Sequence, residues 1–452
     1  GIHFAADGVL QGNINNDGSI GVLSSASPGG SADGGSAVKS ADATASDSSQ
    51  AVDQPLEQTA ILFSGSTGGA IVNRENAQIF SGSGDAIRVL GGQIGQGILN
   101  SGSIDATGSG IYLNQDEEHT NTQVAIISNA TTGTILGGDT GIKIAGGSSV
   151  AQRIVNAGNI SSGGVGILVE GAGSSVGLIE NSGSINGIQL TSGASVTGIS
   201  NAGSIVGQVG FSALQFDDAA VVSVLNLESG QMSAVNEAAI KIGVNGSINS
   251  ELSNEGQIDG ISVSGNIGSI NNSGTLNPYD SQTGDEAVLV SDAGNLGSLS
   301  NSGTINGAVD FGTTGGDFAQ SAGTVGDIRG ATNANITGGS IASVQATTIS
   351  LLGTAADRLE GSTVTIGVGG SANDVVSVRN LVNSGEIKAI STSSSGAGSV
   401  RNSGQIDANL EFSSTGGQFN QTAGSVADVL GATDIEVSGG NTGQLQASNQ
   451  VL

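Results

Sequence analysis

The sequence predicts an all-β protein, a parallel β-solenoid (β-helix) of about 16–18 coils with one coil per repeat. Three observations predict it. First, a five-residue phrase, Asn-x-Gly-x-Ile/Leu, starts at Asn16, Asn100, Asn156, Asn181, Asn201, Asn254, Asn272, Asn301, Asn383 and Asn402. Where neighbouring repeats both carry the phrase, their starts lie from 18 residues apart (Asn254 to Asn272) to 29 apart (Asn272 to Asn301), the spacing of a stacked array. Second, Gly-apolar-x-apolar segments such as Gly141-Ile142-Lys143-Ile144 and Gly187-Ile188-Gln189-Leu190 recur after the phrase. Third, there are 78 Gly, 3 Pro, no Trp or Cys and only 2% aromatic residues, yet 36% hydrophobic residues. Aromatic bulk is missing from this core, and so much Gly disfavours helices.

Each element has a local reason. Apolar residues two apart point to one face of a strand, and the residue between them points out. That outward residue varies: Tyr112, Lys143, Gln189, Ser262. A further apolar pair precedes the Asn, as Val176 and Ile179 precede Asn181. Each repeat therefore reads as about three short strands joined at Gly and Asn corners. One repeat cannot bury its apolar side alone, and stacked repeats can. The motif Gly is expected to supply a positive φ at its corner. The Asn is expected to hydrogen-bond to its equivalents one coil above and below, as amides do in stacked ladders. The structural Asn column comprises Asn100, Asn156, Asn181, Asn201, Asn254, Asn272, Asn301, Asn383 and Asn402.

Degenerate copies complete the pattern. Asn129 to Ile135 and Asn226 to Met232 carry a two-residue insertion, and Ser321 to Val325 and Thr422 to Val426 read as copies with a hydroxyl residue in place of Asn. Residues 301–346 align without gaps on 402–447, a duplicated coil block in which Phe311 and Phe318 match Phe412 and Phe419. The whole chain, 1–452, reads as a single β-solenoid on the order of 80 Å long at about 4.8 Å per coil. Segment 24–59, rich in Ser, Ala, Gly and Asp, reads as a low-complexity loop inserted in an early coil. Asn114 to Gln123 and Asn277 to Glu286 read as smaller excursions.

Charge and composition exclude several functions. With 39 acidic residues against 11 basic, a net charge of −28, the chain is a poor partner for nucleic acid or anionic membrane. No apolar run is long enough for membrane insertion as a helix. Without Cys there are no thiolate metal sites, and His3 and His119 are too isolated for a His-metal centre. Gly369–Val376, GGSANDVV, is like one turn of a calcium-binding nonapeptide repeat but stands alone. No cofactor is expected, and Ca²⁺ only as a weak, non-stoichiometric counterion.

The Asn-Ser-Gly-Thr-Ile type of repeat, followed by Gly-Ile-x-Val strands, resembles the β-helical passenger domains of bacterial autotransporters and related large surface adhesins. The resemblance covers nearly the whole chain outside 24–59. It implies a secreted or bacterial cell-surface location and cell-surface glycans or proteins as partners. It does not extend to the membrane barrel, whose aromatic-girdled strands find no match near Leu452. The expected product is therefore a processed chain or one exported by another route.

The expected function is a non-enzymatic structural or adhesive rod. Coils run from Gly8 to Leu452 without an obvious cap, so head-to-tail stacking of copies into a surface or biofilm-matrix fibre is expected, with Val451 and Leu452 at one contact. An outward row, Arg88, Tyr112, Lys143, Leu168, Gln189, Gln215, Lys241 and Ser262, then Asp310 and Glu411, places bases first and acids second. Lys143 and Lys241 are its candidates for self-association. Two alternatives are an adhesin passenger fragment that binds a cell-surface ligand and a carbohydrate-active β-helix enzyme. The enzyme would need converging carboxylates, and its densest acidic spots are Asp217-Asp218 and Asp116-Glu117-Glu118 with His119.

Overall fold

Alternating in-and-out side chains need a partner strand on each side, and the coils above and below supply them. The computed structural model describes residues 1–5, 8–22, 59–279, 285–388, 390–392, 398–412 and 416–451. Among these there is no helix, and the strands form an all-β parallel solenoid. By packing, the chain divides into two compact units, Gly1–Asp259 and Gly260–Leu452.

In the first unit each coil has three faces. Strand Ser149–Asn156 lies parallel to Ser175–Asn181, with Val150 opposite Val176 and Ile154 opposite Ile179. Asn159–Ser162 pairs with Ser184–Ile185, and Val165–Glu170 with Ile188–Thr191. Like side chains thus stack in columns: Ile87, Ile111, Ile142, Ile167 and Ile188 form one, and all are buried. The apolar pair before the Asn is three apart rather than two, so the strand must bend between its members. Val150 and Ile154 are four apart, one residue more than in the coils on either side, and the register shifts there, between Val124 and Ile126 and between Val150 and Arg153. Residues 24–58 of the expected inserted loop lie outside the described residues. The flanking coils nevertheless stack directly: Ile2 pairs with Ile61, and Ser19–Val22 with Gln78–Ser81.

The second unit starts with similar coils and then contracts below the expected spacing. Val325 pairs with Ile341, Ile341 with Ala356, and Ala356 with Ala372, which are steps of 16, 15 and 16 residues. The faces persist while the corners shrink. One continuous strand, Thr324–Ile336, pairs successively with the strands at Thr304, Val309 and Phe318. The smaller coils enclose smaller side chains, with Ala331, Ala334, Ala346, Ala356 and Ala372 all buried. The duplicated blocks fold alike. Leu299 faces Phe318 as Val400 faces Phe419, and all four matched Phe residues are buried.

The motif glycines correct one expectation. Gly102, Gly158, Gly183, Gly203 and Gly256 are not among the residues with positive φ. They are needed for closeness instead. A Cβ on Gly183 would lie 2.7 Å from the carbonyl carbon of Ala157, and one on Gly203 would lie 2.6 Å from that of Ser182, both in the preceding coil. Positive φ does occur at the corner glycine Gly187, at 84°.

Candidate functional site

The Asn column is a continuous hydrogen-bonded ladder within the first unit. Asn16 donates through Nδ2 to Oδ1 of Asn73 at 2.8 Å, and Asn73 to Asn100 at 2.7 Å. The chain of amides continues through Asn129, Asn156, Asn181, Asn201, Asn226 and Asn254 at 2.8–2.9 Å. Every rung is buried. The same Nδ2 also meets two backbone carbonyls. For Asn100 these are Gly102 in its own turn at 3.1 Å and Thr134 in the next coil at 3.0 Å. One amide per coil thus ties the corner of its own turn to the next coil, and the Gly102 carbonyl also accepts the Thr134 N–H at 2.9 Å.

In the second unit Asn272 donates to Asn301 at 2.8 Å and Asn383 to Asn402 at 2.9 Å. The column position in the two variant repeats is not the hydroxyl residue. Gln320 aligns with Asn301 and Gln421 with Asn402. The longer Gln side chain spans the extra residue of those turns, whereas Ser321 and Thr422 sit just beyond the column. Between Gln320 and Asn383 the column is apolar: Ile336, Leu351 and Ile366 occupy it in register. Asn73 also belongs to the ladder and was not expected. Its signal is the same seven-residue span as Asn129 to Ile135, with Ala77 where Gly133 stands and Asn76 turning at φ 65°.

The outward row exists in the first unit with the expected members from Arg88 to Lys241, preceded by His3 and Leu62. Tyr112 is sandwiched by cations, Arg88 at 5.1 Å and Lys143 at 5.3 Å from its ring centre. Lys143 binds Glu170 at 2.9 Å, and Lys241 approaches Glu237 at 3.4 Å. Burial depresses the Lys143 ammonium, but the hydrogen bond and charge of Glu170, with Tyr112 and Asp85, outweigh it and leave the pKa raised. Asp85, which accepts from the Ser109 backbone N–H at 2.8 Å, is pushed above the usual carboxylate value by burial. In the second unit the row runs Ser262, Leu289, Asp310, Arg329. Arg329 breaks the expected division into bases first and acids second. It bridges Glu286 at 3.0 Å and Asp327 at 3.3 Å. Glu411 lies opposite Leu430. Leu452 and the Val451 side chain lie outside the described residues.

The acidic spots are turn-formers. Asp218 has φ 50°, closing the strand Leu214–Asp217, and Asp217 accepts from Gln215 at 2.6 Å. Asp116 accepts the backbone N–H groups of Glu118 and His119 and lies 2.9 Å from His119 Nδ1. The GGSANDVV segment is a corner, with Gly369 at φ 77°, running into the strand Ser371–Asn383. Among the described residues no group of three or more His, Asp or Glu is placed to hold a metal ion. No protein-family model, no curated protein and no solved structure matches the chain.

Proposed function

We propose that the protein is a non-enzymatic extracellular scaffold, a structural or adhesive protein of the bacterial surface that serves as the solenoids of autotransporter passengers do. The observation that carries this reading is the buried amide ladder. A side chain that is polar, recurrent and conspicuous in the sequence is spent on stacking one coil on the next. Function then falls to what repeated coils do as a body: extend, resist and present the variable outward rows.

We further propose that copies assemble end to end into a surface or matrix fibre. The duplicated blocks support it, because coils of 301–346 and 402–447 keep one register while accepting different neighbours. A head-to-tail contact of that kind does not close, and grows. Negative-stain electron microscopy and analytical ultracentrifugation of the full chain over rising concentration test it. Filaments lengthening with concentration are expected, and monomers throughout would leave the scaffold without self-assembly. Adhesion to cells that survives charge reversal of both Lys143 and Lys241 would remove the outward row from the adhesive reading.

A further inference from the structure

The two duplicated blocks differ in the side chains beside the ladder. In the first, a groove of about 240 Å³ opens beside the ladder. One wall is an outward row crossing four coils, Asn271, Ser300, Ala319 and Asn335, paired in sequence. The facing wall carries hydroxyls, Ser302, Ser321 and Thr337, and the rungs Asn301 and Gln320 lie between. Gln320 is 1% exposed, and its carboxamide oxygen has no hydrogen-bond partner. Its nitrogen is satisfied by the Ser340 carbonyl at 3.0 Å.

The second block fills the same place differently. Gln421 Oε1 there accepts from Asn402 at 3.3 Å. The counterparts of Ser300, Ala319 and Asn335 are Arg401, Asn420 and Glu436, and Asn420 donates to Glu436 at 2.7 Å. The same backbone register thus carries larger side chains, two of them bonded to each other, in one copy and small ones over an orphaned acceptor in the other. A buried acceptor without a donor calls for an explanation.

We propose that this groove binds a neutral hydroxylated ligand, one sugar residue, whose hydroxyl donates toward Gln320 Oε1. A hydroxyl both donates and accepts, which suits a wall of amides and hydroxyls. No lining residue is charged, and a net charge of −28 disfavours anions. A divalent cation would need carboxylates. A peptide strand would need a free sheet edge, and the strands of this face are already paired on both sides. The volume is below the roughly 300–1,000 Å³ of pockets for larger ligands, and Ala319 leaves room for the apolar face of a sugar ring. The scaffold role does not require this site, and either can fail alone.

The test is saturation-transfer NMR on the full chain with glucose, galactose and N-acetylglucosamine, each as monosaccharide and as β-linked tetrasaccharide. The comparison variant converts the groove to its sister: Ser300→Arg, Ala319→Asn and Asn335→Glu together, with Ala319→Asn alone as a second variant should the triple fail to fold. At least one sugar is expected to bind the native chain and to lose about tenfold or more in affinity in the variant, while the thermal midpoint stays unchanged. Equal affinity for the monosaccharide and its tetrasaccharide assigns a terminal sugar, and tighter tetrasaccharide binding an internal residue of a glycan chain. The proposal is overturned if none of these sugars binds, if the converted groove binds as well as the native one, or if a crystal grown with the sugar holds only a water between Asn301 and Gln320.

Discussion

Gly183 and Gly18 hold the same place in the repeat but not the same neighbours. A Cβ on Gly183 meets the backbone of the preceding coil, whereas one on Gly18 meets nothing within 4 Å. Gly183→Ala is therefore expected to cost about 1–3 kcal/mol in overpacking. Gly18→Ala should be neutral or stabilising by up to about 1 kcal/mol, through the unfolded chain. Urea denaturation followed by circular dichroism separates them, and equal effects would refute the closeness argument. Asp85 gives a pH signature. Burial raises its folded pKa above 3.8, so the folded state holds the proton longer and stability falls as pH rises from the unfolded value through the folded one. Asp85→Asn keeps an acceptor for Ser109 and removes that loss. Its stability relative to the native chain should improve as pH rises from about 3 toward neutrality, and a pH-independent gap would contradict the burial.

At the scale of the element, the ladder is a column whose rungs depend on their neighbours. Asn181 donates to Asn201, Gly183 and Ser204 and accepts from Asn156. Asn181→Ala takes the ladder donor from Asn201 Oδ1 and one acceptor from Asn156, whose Nδ2 keeps the Gly158 and Ser184 carbonyls, at an expected cost of about 1–3 kcal/mol. The apolar stretch inverts this logic. Leu351 sits between Ile336 and Ile366, so Leu351→Asn buries a lone amide and should cost about 1–3 kcal/mol. Converting Ile336 and Ile366 to Asn as well should recover part of that loss, and a purely additive triple variant would count against coupling along the column. Chemical denaturation measures both. The strands and most rungs were legible in the sequence, because a period of two within strands and a five-letter phrase between them report packing directly. Asn73 was hidden by its Ala and its longer turn. Gln320 and Gln421 were hidden because an extra residue shifts the column one place from where the phrase points. The groove at Ala319 was not legible at all. It arises from four residues on successive coils, and only the register shows that Ala319 lies between Ser300 and Asn335.

At the scale of the whole molecule, electrostatic repulsion governs how copies approach, because each carries a net charge of −28. Like charges on adjacent copies repel over a screening length of about 8 Å at physiological salt. Light scattering should therefore rise on adding NaCl, and at lower concentration on adding CaCl₂, with Mg²⁺ acting much as Ca²⁺ does. Calorimetry that instead finds a few tight, stoichiometric calcium sites would contradict a counterion effect and return attention to GGSANDVV. The ladder adds a constraint that charge cannot. Within the first unit each amide hands its N–H forward, from Asn16 to Asn73 and onward to Asn254, and each takes its neighbour's in the same sense. Such a stack is an arrow rather than a bar. Its direction is fixed inside the chain, because farther along the column passes to Ile336, Leu351 and Ile366 and, after Gln421, to Val437. The coils of the first unit are therefore not interchangeable end for end: one inserted upside down would set donor against donor at one junction and acceptor against acceptor at the other.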